Sequence, residues 1–489
     1  LVGRIIKRDF RMELEALGTL LERGQIAGKV TADSRKVESG DVFVAVKGTA
    51  VDGHEFIEAA AQKGAAYIVC EKPVAVAGAK VVVTEDSHGA WGMLAQASQG
   101  YPGRKLGCLA VTGTNGKTTT TYLVRSIMQA AGHKCGLIGT VTYDTGNGAV
   151  ESNMTTPDAS SLASMMNEMV NAGSKYMVIE ASSHALSQRR LEGIPFRAAA
   201  FTNLTGDHLD YHKDMKNYLD AKAVLFESLP ANSYAIINAQ TRVACELAGR
   251  TKAMVLTYAV DDKADIQAEV IEASSKHTVY ELIYKGEEVR VVSPMLGRHN
   301  ISNHLAAAGL CIGAGIDLKT IAKGLEAMEF VPGRLQGVRC GQDYAVLVDY
   351  AHTDDALSNV LETLRPICRG ELTVVFGCGG DRDKTKRPRM AKVAYDVADK
   401  VVVTSDNPRT EMAGDIINDI MAGFAGHANG KIMVEADRAK AIGLAIGQAK
   451  TGDVILIAGK GHENYQIIGK EKIHFSDVEI AEAFIRGRK

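Results

Sequence analysis

Short apolar runs ending on glycine or a small polar residue alternate along this chain with segments of helical periodicity. That alternation limits the fold more than any other feature. LGCLAVTG (106–113), YMVIEASS (176–183), AVLVDYAH (345–352), TVVFGCGGD (373–381) and DVILIAGKGHE (453–463) each read as a strand buried on both faces. Strands of that kind separated by helices require α/β layering with a largely parallel sheet. At 489 residues the chain exceeds what one core usually supports, and it divides into three successive α/β blocks. YPGRK (101–105) and VPGR (331–334) mark the expected boundaries, giving blocks 1–105, 106–332 and 333–489. In the first block DVFVAVKG (41–48), AAYIVC (65–70) and KVVVTED (80–86) are strands, with a helix-like HEFIEAAAQKGA between the first two. Residues 260–295 alternate as a small antiparallel insert would.

Composition removes several classes of function. Lys and Arg total 56 against 58 Asp and Glu, a net charge of −2, so no global basic field favours nucleic acid or an anionic membrane surface. No apolar run approaches the ~20 residues that span a bilayer. The opening LVGRIIKRDF has no long apolar core of the leader type and lacks an initiator Met, as a trimmed start would. Eight cysteines stand singly with no Cys-x-x-Cys pair, which fits reduced thiols and a cytoplasmic protein. Glycine is in excess, 49 residues against 10 prolines, and is expected where backbone must turn sharply or approach a ligand.

The chemistry concentrates in VTGTNGKTTT (111–120), where a strand runs into a glycine-containing turn and then a Thr-rich helix start. Backbone N–H groups of Gly113, Thr114, Asn115 and Gly116, with the positive end of the helix, form a phosphate cradle. Lys117 then reaches terminal phosphates, the Thr118 hydroxyl is placed for Mg²⁺, and Thr119 follows in the helix. Val111 occupies the position where a strict P-loop has its first glycine, so the loop is a variant. Glu180 ends the next apolar strand, where an open sheet presents ligands, while Ser182 and Ser183 also suit a helix cap. FTNLTGDHLDYHKDM (201–215) places His208 and His212 four apart, but Leu209 stands where a zinc metalloprotease has its glutamate. His208 remains a metal or phosphate contact, and Lys222 alone reads as a solvated helix lysine.

VTGTNGKTTTT, EASSHAL, FTNLTGDHLDYHKDM, HNISNHLAA, VPGRLQ, VDYAHTDDAL, FGCGGDRDKTKRP and AGKGHENYQ occur in register along the chain, and together they resemble the Mur ligase family. The resemblance implies an α/β protein of three domains: a UDP-sugar-binding domain, a central P-loop ATPase domain and a C-terminal Rossmann-like domain that receives an amino acid. It implies ATP and Mg²⁺, activation of a substrate carboxylate as an acyl phosphate, and attack by an amine. Thr118, Glu180, His208 and a carbamylated Lys222 would then stand at the metal, with Lys117 on the phosphates. Asn303 would face the nucleotide, with Arg334, Asp349 and His352 approaching from the last domain.

Within the family pattern, Ser34, Thr49, Ala50 and Val51 would contact the nucleotide sugar. Thr155, Thr156, Ser182, Gln188 and Arg190 would contact its muramyl-peptide end. The small-molecule substrates implied are UDP-MurNAc-L-Ala-D-Glu and meso-diaminopimelate, with no nucleic acid, no membrane insertion and a monomer expected. DNPRTE (406–411) sits at a strand's carboxyl end, and Arg409 can meet the distal carboxylate of diaminopimelate with bidentate donors. Arg382, Asp406, Asn407, Gly459 and Glu463 complete that set. The nearest alternatives are a lysine-adding homologue and a folylpolyglutamate synthase; a nucleotide-dependent switch gives no use to GCGGDRDK and GKGHE. A dinucleotide-binding dehydrogenase is excluded because Arg382 occupies the third glycine position after Gly377 and Gly379.

Overall fold

The computed structural model describes residues 2–48, 51–207, 209–274, 277–424 and 430–488, without the side chains of residues 2–11, 209 and 210. Thr49, Ala50 and His208 therefore lie outside the described residues. The chain forms two compact units, one of residues 1–268, 283–289 and 302–325, the other of 269–282, 290–301 and 326–489.

The first unit opens with a four-stranded parallel sheet in chain order, Val30–Thr31, Val42–Val44, Tyr67–Cys70 and Lys80–Val83. YPGRK forms a short turn whose Pro102 and Gly103 are buried. A Cβ at Gly103 would lie 3.1 Å from Pro195 and 3.3 Å from Met166, so this junction is packed.

The central sheet has Gly107–Thr112 in its middle, flanked in parallel by Phe196–Phe201 and Tyr176–Glu180. Cys108, Leu109, Ala110 and Val111 have no exposed surface, as expected of a strand covered on both faces. Register places Val111 opposite both Ala200 and Glu180. The loops after these three strands consequently leave the sheet side by side at one carboxyl edge, where α/β sheets present ligands. The helices Lys117–Ala130, Ser183–Ser187 and Met215–Glu227 follow.

Strands Met254–Val260, Ile266–Ala273, Thr278–Tyr284 and Glu287–Ser293 extend the edge of this sheet, where the sequence pattern suggested a small insert. The first pair is parallel, with Tyr258 opposite Ile266, which corrects the antiparallel expectation there. The last two strands join through Lys285 and Gly286, both at positive φ, 51° and 78°. That is the two-residue hairpin turn that twist favours.

The second unit holds a six-stranded sheet in the order Gln336–Gly337, Ala345–Asp349, Val454–Ala458, Leu372–Phe376, Lys400–Val403 and Ile432–Val434. All neighbours but the first pair are parallel. Ala458 stands opposite both Asp349 and Phe376, and Phe376 stands opposite Val403. The segments that carry Tyr350, Gly377, Thr404 and Gly459 therefore start from one edge. No helix among the described residues is long and apolar enough to cross a membrane.

Candidate functional site

In the first unit the site is built on the loop between Gly107–Thr112 and Lys117–Ala130. Gly113 and Gly116 take φ of 142° and 88°, conformations that side chains rarely adopt. A Cβ would meet Thr202 Oγ1 at 2.0 Å from Gly113, and Asn303 Oδ1 at 2.3 Å from Gly116. The loop is thus pressed between the Thr202–Asn203 segment and Asn303, which brings Asn303 to the phosphate cradle. Asn115 N–H donates to Asn203 Oδ1 at 2.9 Å, and Thr114 N–H to Asn203 O at 2.9 Å. Lys117 Nζ folds back onto the carbonyls of Gly113 (2.9 Å) and Thr114 (2.7 Å). Thr119 is buried in the first helical turn.

Glu180 is 1% exposed and gathers donors from two loops. Its Oε2 accepts from Thr118 Oγ1 at 3.1 Å and Thr140 Oγ1 at 3.0 Å, and its Oε1 from Thr140 N–H at 2.8 Å. Thr118 and Glu180, named separately from the sequence, are thus in direct contact. Thr140 was not anticipated; its signal is the position just after the apolar run CGLIG, another strand end at the same edge.

Lys222 overturns its bland reading as a solvated lysine. It is 1% exposed, its Nζ donates to Gly113 O at 2.9 Å, and it lies 4.2 Å from the Tyr218 ring centroid. Burial, then the charge of Lys117, hold its amine well below the usual lysine range, against a smaller opposing pull from Asp207. Tyr218 is tied to the same loop, its hydroxyl 3.3 Å from Thr114 Oγ1.

Thr156 Oγ1 donates to Glu180 O at 2.6 Å and accepts Ser182 N–H at 3.1 Å. Arg190 Nη1 donates to Thr156 O at 2.7 Å, and its Nη2 to Gln188 Oε1 at 2.7 Å. Thr155 Oγ1 stands 3.1 Å from Thr140 Oγ1. Thr155, Thr156, Ser182, Gln188 and Arg190 therefore form one connected group beside Glu180. Ser182 also caps the helix Ser183–Ser187 through Ala185 N–H, as its reading as a helix cap expects. Ser34 begins a turn capped by Asp33, and Lys63 Nζ donates to its carbonyl at 2.9 Å. Val51 is exposed, and its carbonyl accepts Gly48 N–H at 2.9 Å. The strands preceding Ser34 and Val51 are parallel neighbours, so both loops leave one edge of the N-terminal sheet. Ser160 Oγ, just beyond Thr156, donates to Val30 O at 2.7 Å and links that sheet to the segment carrying Thr155 and Thr156.

In the second unit Asp349 accepts Leu335 N–H and Ala351 N–H, both at 2.8 Å. Its burial pushes the carboxyl up, with Arg334 pulling the other way. Arg334 lies 5.2 Å from the Tyr350 ring centroid, and His352 packs on that ring at 4.7 Å. Arg334, Asp349 and His352 are thus neighbours.

Arg409 sits at φ 51°, half-buried, and its Nη1 donates to Gly380 O at 2.9 Å. A Cβ at Gly380 would meet Pro408 O at 1.9 Å, so the GGDRDK loop and the DNPR turn touch through backbone. Arg382 is exposed at the rim, with Nη1 on Asp381 O at 3.0 Å. Asn407 Nδ2 donates to Glu463 Oε2 at 2.8 Å, and a Cβ at Gly459 would meet Asp406 Oδ2 at 2.7 Å. Asp406, Asn407, Gly459 and Glu463 are therefore one cluster.

Several members of its supporting shell were not anticipated. Arg387 joins Glu411 (2.9 and 3.1 Å) and Asp419 (2.8 Å), while Glu411 Oε1 also accepts Asp381 N–H at 2.6 Å. Its bond to Arg387 holds the Glu411 carboxyl down at about 2. Arg438 meets Asp477 with two 2.7 Å bonds and also donates to Ser405 O and Ala458 O. Lys460 is buried beneath Asn407 and Glu463. The signal for Lys460 is a lysine between two glycines immediately after the apolar run VILIA; the arginines carry none beyond their place on helices.

Three family models match the chain: "Mur ligase family, catalytic domain" over residues 28–97, "Mur ligase middle domain" over 111–311, and "Mur ligase, glutamate ligase domain" over 333–461. A Bacillus cereus protein named UDP-N-acetylmuramoyl-L-alanyl-D-glutamate--2,6-diaminopimelate ligase is 45% identical over 466 residues, 94% of each chain. A protein of the same name from Parabacteroides distasonis is 43% identical over 479 residues, covering 96% of this chain and 98% of its own. A solved structure of a ligase of that name superposes with a TM-score of 0.70 at 35% identity, over 94% of this chain and 95% of the other. The MurF ligase of Thermotoga maritima in complex with ADP shares the fold, with a TM-score of 0.62 at 20% identity over 95% of this chain and 99% of its own.

Proposed function

The chain belongs to the Mur ligase family, and on that premise we propose that it joins meso-diaminopimelate to the D-glutamate of UDP-MurNAc-L-Ala-D-Glu at the expense of ATP. The reaction forms ADP, phosphate and the tripeptide precursor of peptidoglycan. The observation that carries the choice of amino acid is the DNPR turn, which sets Arg409 beside the Asn407–Glu463 cluster at a sheet edge. Lysine lacks the distal carboxylate that Arg409 would meet, and leaving a partly buried guanidinium unpaired disfavours it on the order of 10²–10⁴-fold.

The loop 113–116 with Lys117 receives the ATP phosphates, and Asn303 faces the nucleotide base. Fixed N–H dipoles and the Lys117 cation oppose the charge that builds as the γ-phosphoryl passes to the glutamyl carboxylate. The resulting acyl phosphate is attacked by the amine, and phosphate leaves. The residues fit a Mg²⁺ ion: Glu180 is a buried carboxylate with a threonine hydroxyl beside it, and a neutral amine at Lys222 can take up CO₂ as a carbamate. Thr118, Glu180, His208 and that carbamate would hold the ion, which when bound neutralises phosphate charge. As an ammonium Lys222 would repel the ion, so its burial is required before it can serve.

Thr155, Thr156, Ser182, Gln188 and Arg190 orient the muramyl-peptide end. Ser34, Thr49, Ala50 and Val51 take the nucleotide end. Arg334, Asp349 and His352 approach the nucleotide, and Arg382, Asp406, Asn407, Arg409, Gly459 and Glu463 hold the amino acid. We assign residues 1–105, 106–332 and 333–489 to the nucleotide sugar, ATP and amino acid respectively, in a cytoplasmic monomer. Phosphate release measured with the nucleotide dipeptide and either meso-diaminopimelate or L-lysine tests the reading. Turnover with diaminopimelate and little with lysine is expected, and equal rates would overturn the specificity.

A further inference from the structure

We propose that Lys460 is a positioning residue of the amino-acid site, its ammonium holding the Asn407 amide and the Glu463 carboxylate in the orientation that receives the incoming amino acid. This rests on the amino-acid-adding reading above. Lys460 has no exposed surface, and it lies between Gly459 and Gly461, at φ of 115° and 55°. A Cβ would meet Asp406 Oδ2 at 2.7 Å from Gly459 and Tyr350 Cβ at 2.7 Å from Gly461. The glycines thus let the chain turn so tightly at the strand end that the lysine points inward.

A buried ammonium must be paired and hydrogen-bonded. Here Nζ donates to Asn407 Oδ1 at 3.1 Å and to Glu463 Oε2 at 3.0 Å. Asn407 Oδ1 also accepts Ile467 N–H at 2.9 Å, so both its lone pairs are used. That fixes which end of the amide is oxygen and sends Nδ2 to Glu463 Oε2 at 2.8 Å. Glu463 Oε2 thus carries two protein donors, and none of these bonds uses Oε1, the oxygen left to meet a ligand ammonium. Lys460 also offsets the Glu463 charge before substrate arrives. Without the lysine, Asn407 Oδ1 keeps only the Ile467 N–H and the part-buried Glu463 carboxylate loses its counter-charge, so amide and carboxylate are held less firmly.

The test is steady-state kinetics of the full-length enzyme with ATP, the nucleotide dipeptide and meso-diaminopimelate, comparing wild type, Lys460→Met, Glu463→Gln and the double variant. The lysine substitution should raise the KM for diaminopimelate about tenfold or more and move the other two KM values by less than about twofold. In the Glu463→Gln background the same substitution should change the diaminopimelate KM by less than about threefold, because the charged partner is already gone and only the bond to Asn407 is left to lose. A rise of all three KM values together, an unchanged diaminopimelate KM, or effects that multiply independently would overturn the assignment. If Lys460→Met alone does not fold, the charge-balanced double variant against Glu463→Gln, with Lys460→Arg against wild type, gives the same selectivity criterion. A wild type that turns over no diaminopimelate would overturn the underlying reading and this assignment with it. Normal wild-type turnover with an unselective Lys460→Met overturns this assignment alone.

Discussion

At the residue scale, Lys222 departs far from the ordinary behaviour of a lysine. Its amine is buried against Gly113 O and Lys117, and its folded value lies well below the unfolded 10.5. The unfolded chain then binds a proton that the native chain resists. Burial therefore costs stability, by an amount that grows as pH falls from 10.5 toward the folded value. Lys222→Met should raise the melting temperature at neutral pH in bicarbonate-free buffer, with a gain that vanishes above about pH 10.5. The same variant should lose at least ~10²-fold in kcat, the scale of removing a fixed electrostatic group from a transition state. A melting temperature that falls, or activity that persists, would contradict the assigned role. Arg409→Ala should raise the KM for diaminopimelate by about 10²-fold while nucleotide affinity, read by calorimetry, stays at the wild-type value.

At the scale of elements, each site is a set of loops leaving one sheet edge, held apart at set distances by glycine. Gly113→Ala places a methyl 2.0 Å from Thr202 Oγ1, at a φ of 142° that alanine rarely adopts. The loop must shift, and ATP affinity should fall about tenfold or more by calorimetry while the far-ultraviolet circular dichroism is unchanged. The helix Asp477–Gly487 reaches the other edge through Asp477 and Arg438, which also grips Ser405 O and Ala458 O. Arg438→Met leaves Asp477 buried and unpaired, and should cost about 3–5 kcal/mol of unfolding free energy in a denaturant titration. The strands and the phosphate loop were legible because apolar runs and glycine spacing are local properties of sequence. Thr140, Lys460 and the Arg387–Glu411 and Arg438–Asp477 pairs were not. Their contacts come from packing between segments 24 to 53 residues apart in the chain, and a lone charge in sequence reads as surface. Lys222 needed the family resemblance to stand out, because only tertiary packing removes it from water.

At the scale of the whole molecule, a net charge of −2 must be reconciled with substrates that are themselves strongly anionic. The positive charge is placed locally instead: Lys117 on the phosphate loop, Arg190 beside Thr156, and Arg382 and Arg409 at the amino-acid edge. Each unit of the chain carries complete strand-edge clusters of its own, and the excess glycine is partly accounted for at those edges, in GTNGK, GCGG and AGKGH. No disulfide joins any of the eight cysteines. In the proposed reaction each ATP cleaved is spent on one amide bond to diaminopimelate. Mass spectrometry of the nucleotide product, with ADP and phosphate counted in the same reaction, tests this coupling. The product should be heavier by one diaminopimelate less one water, formed one-for-one with ADP and phosphate and only when all three substrates are present. ADP and phosphate accumulating with no change in the mass of the nucleotide dipeptide would contradict it.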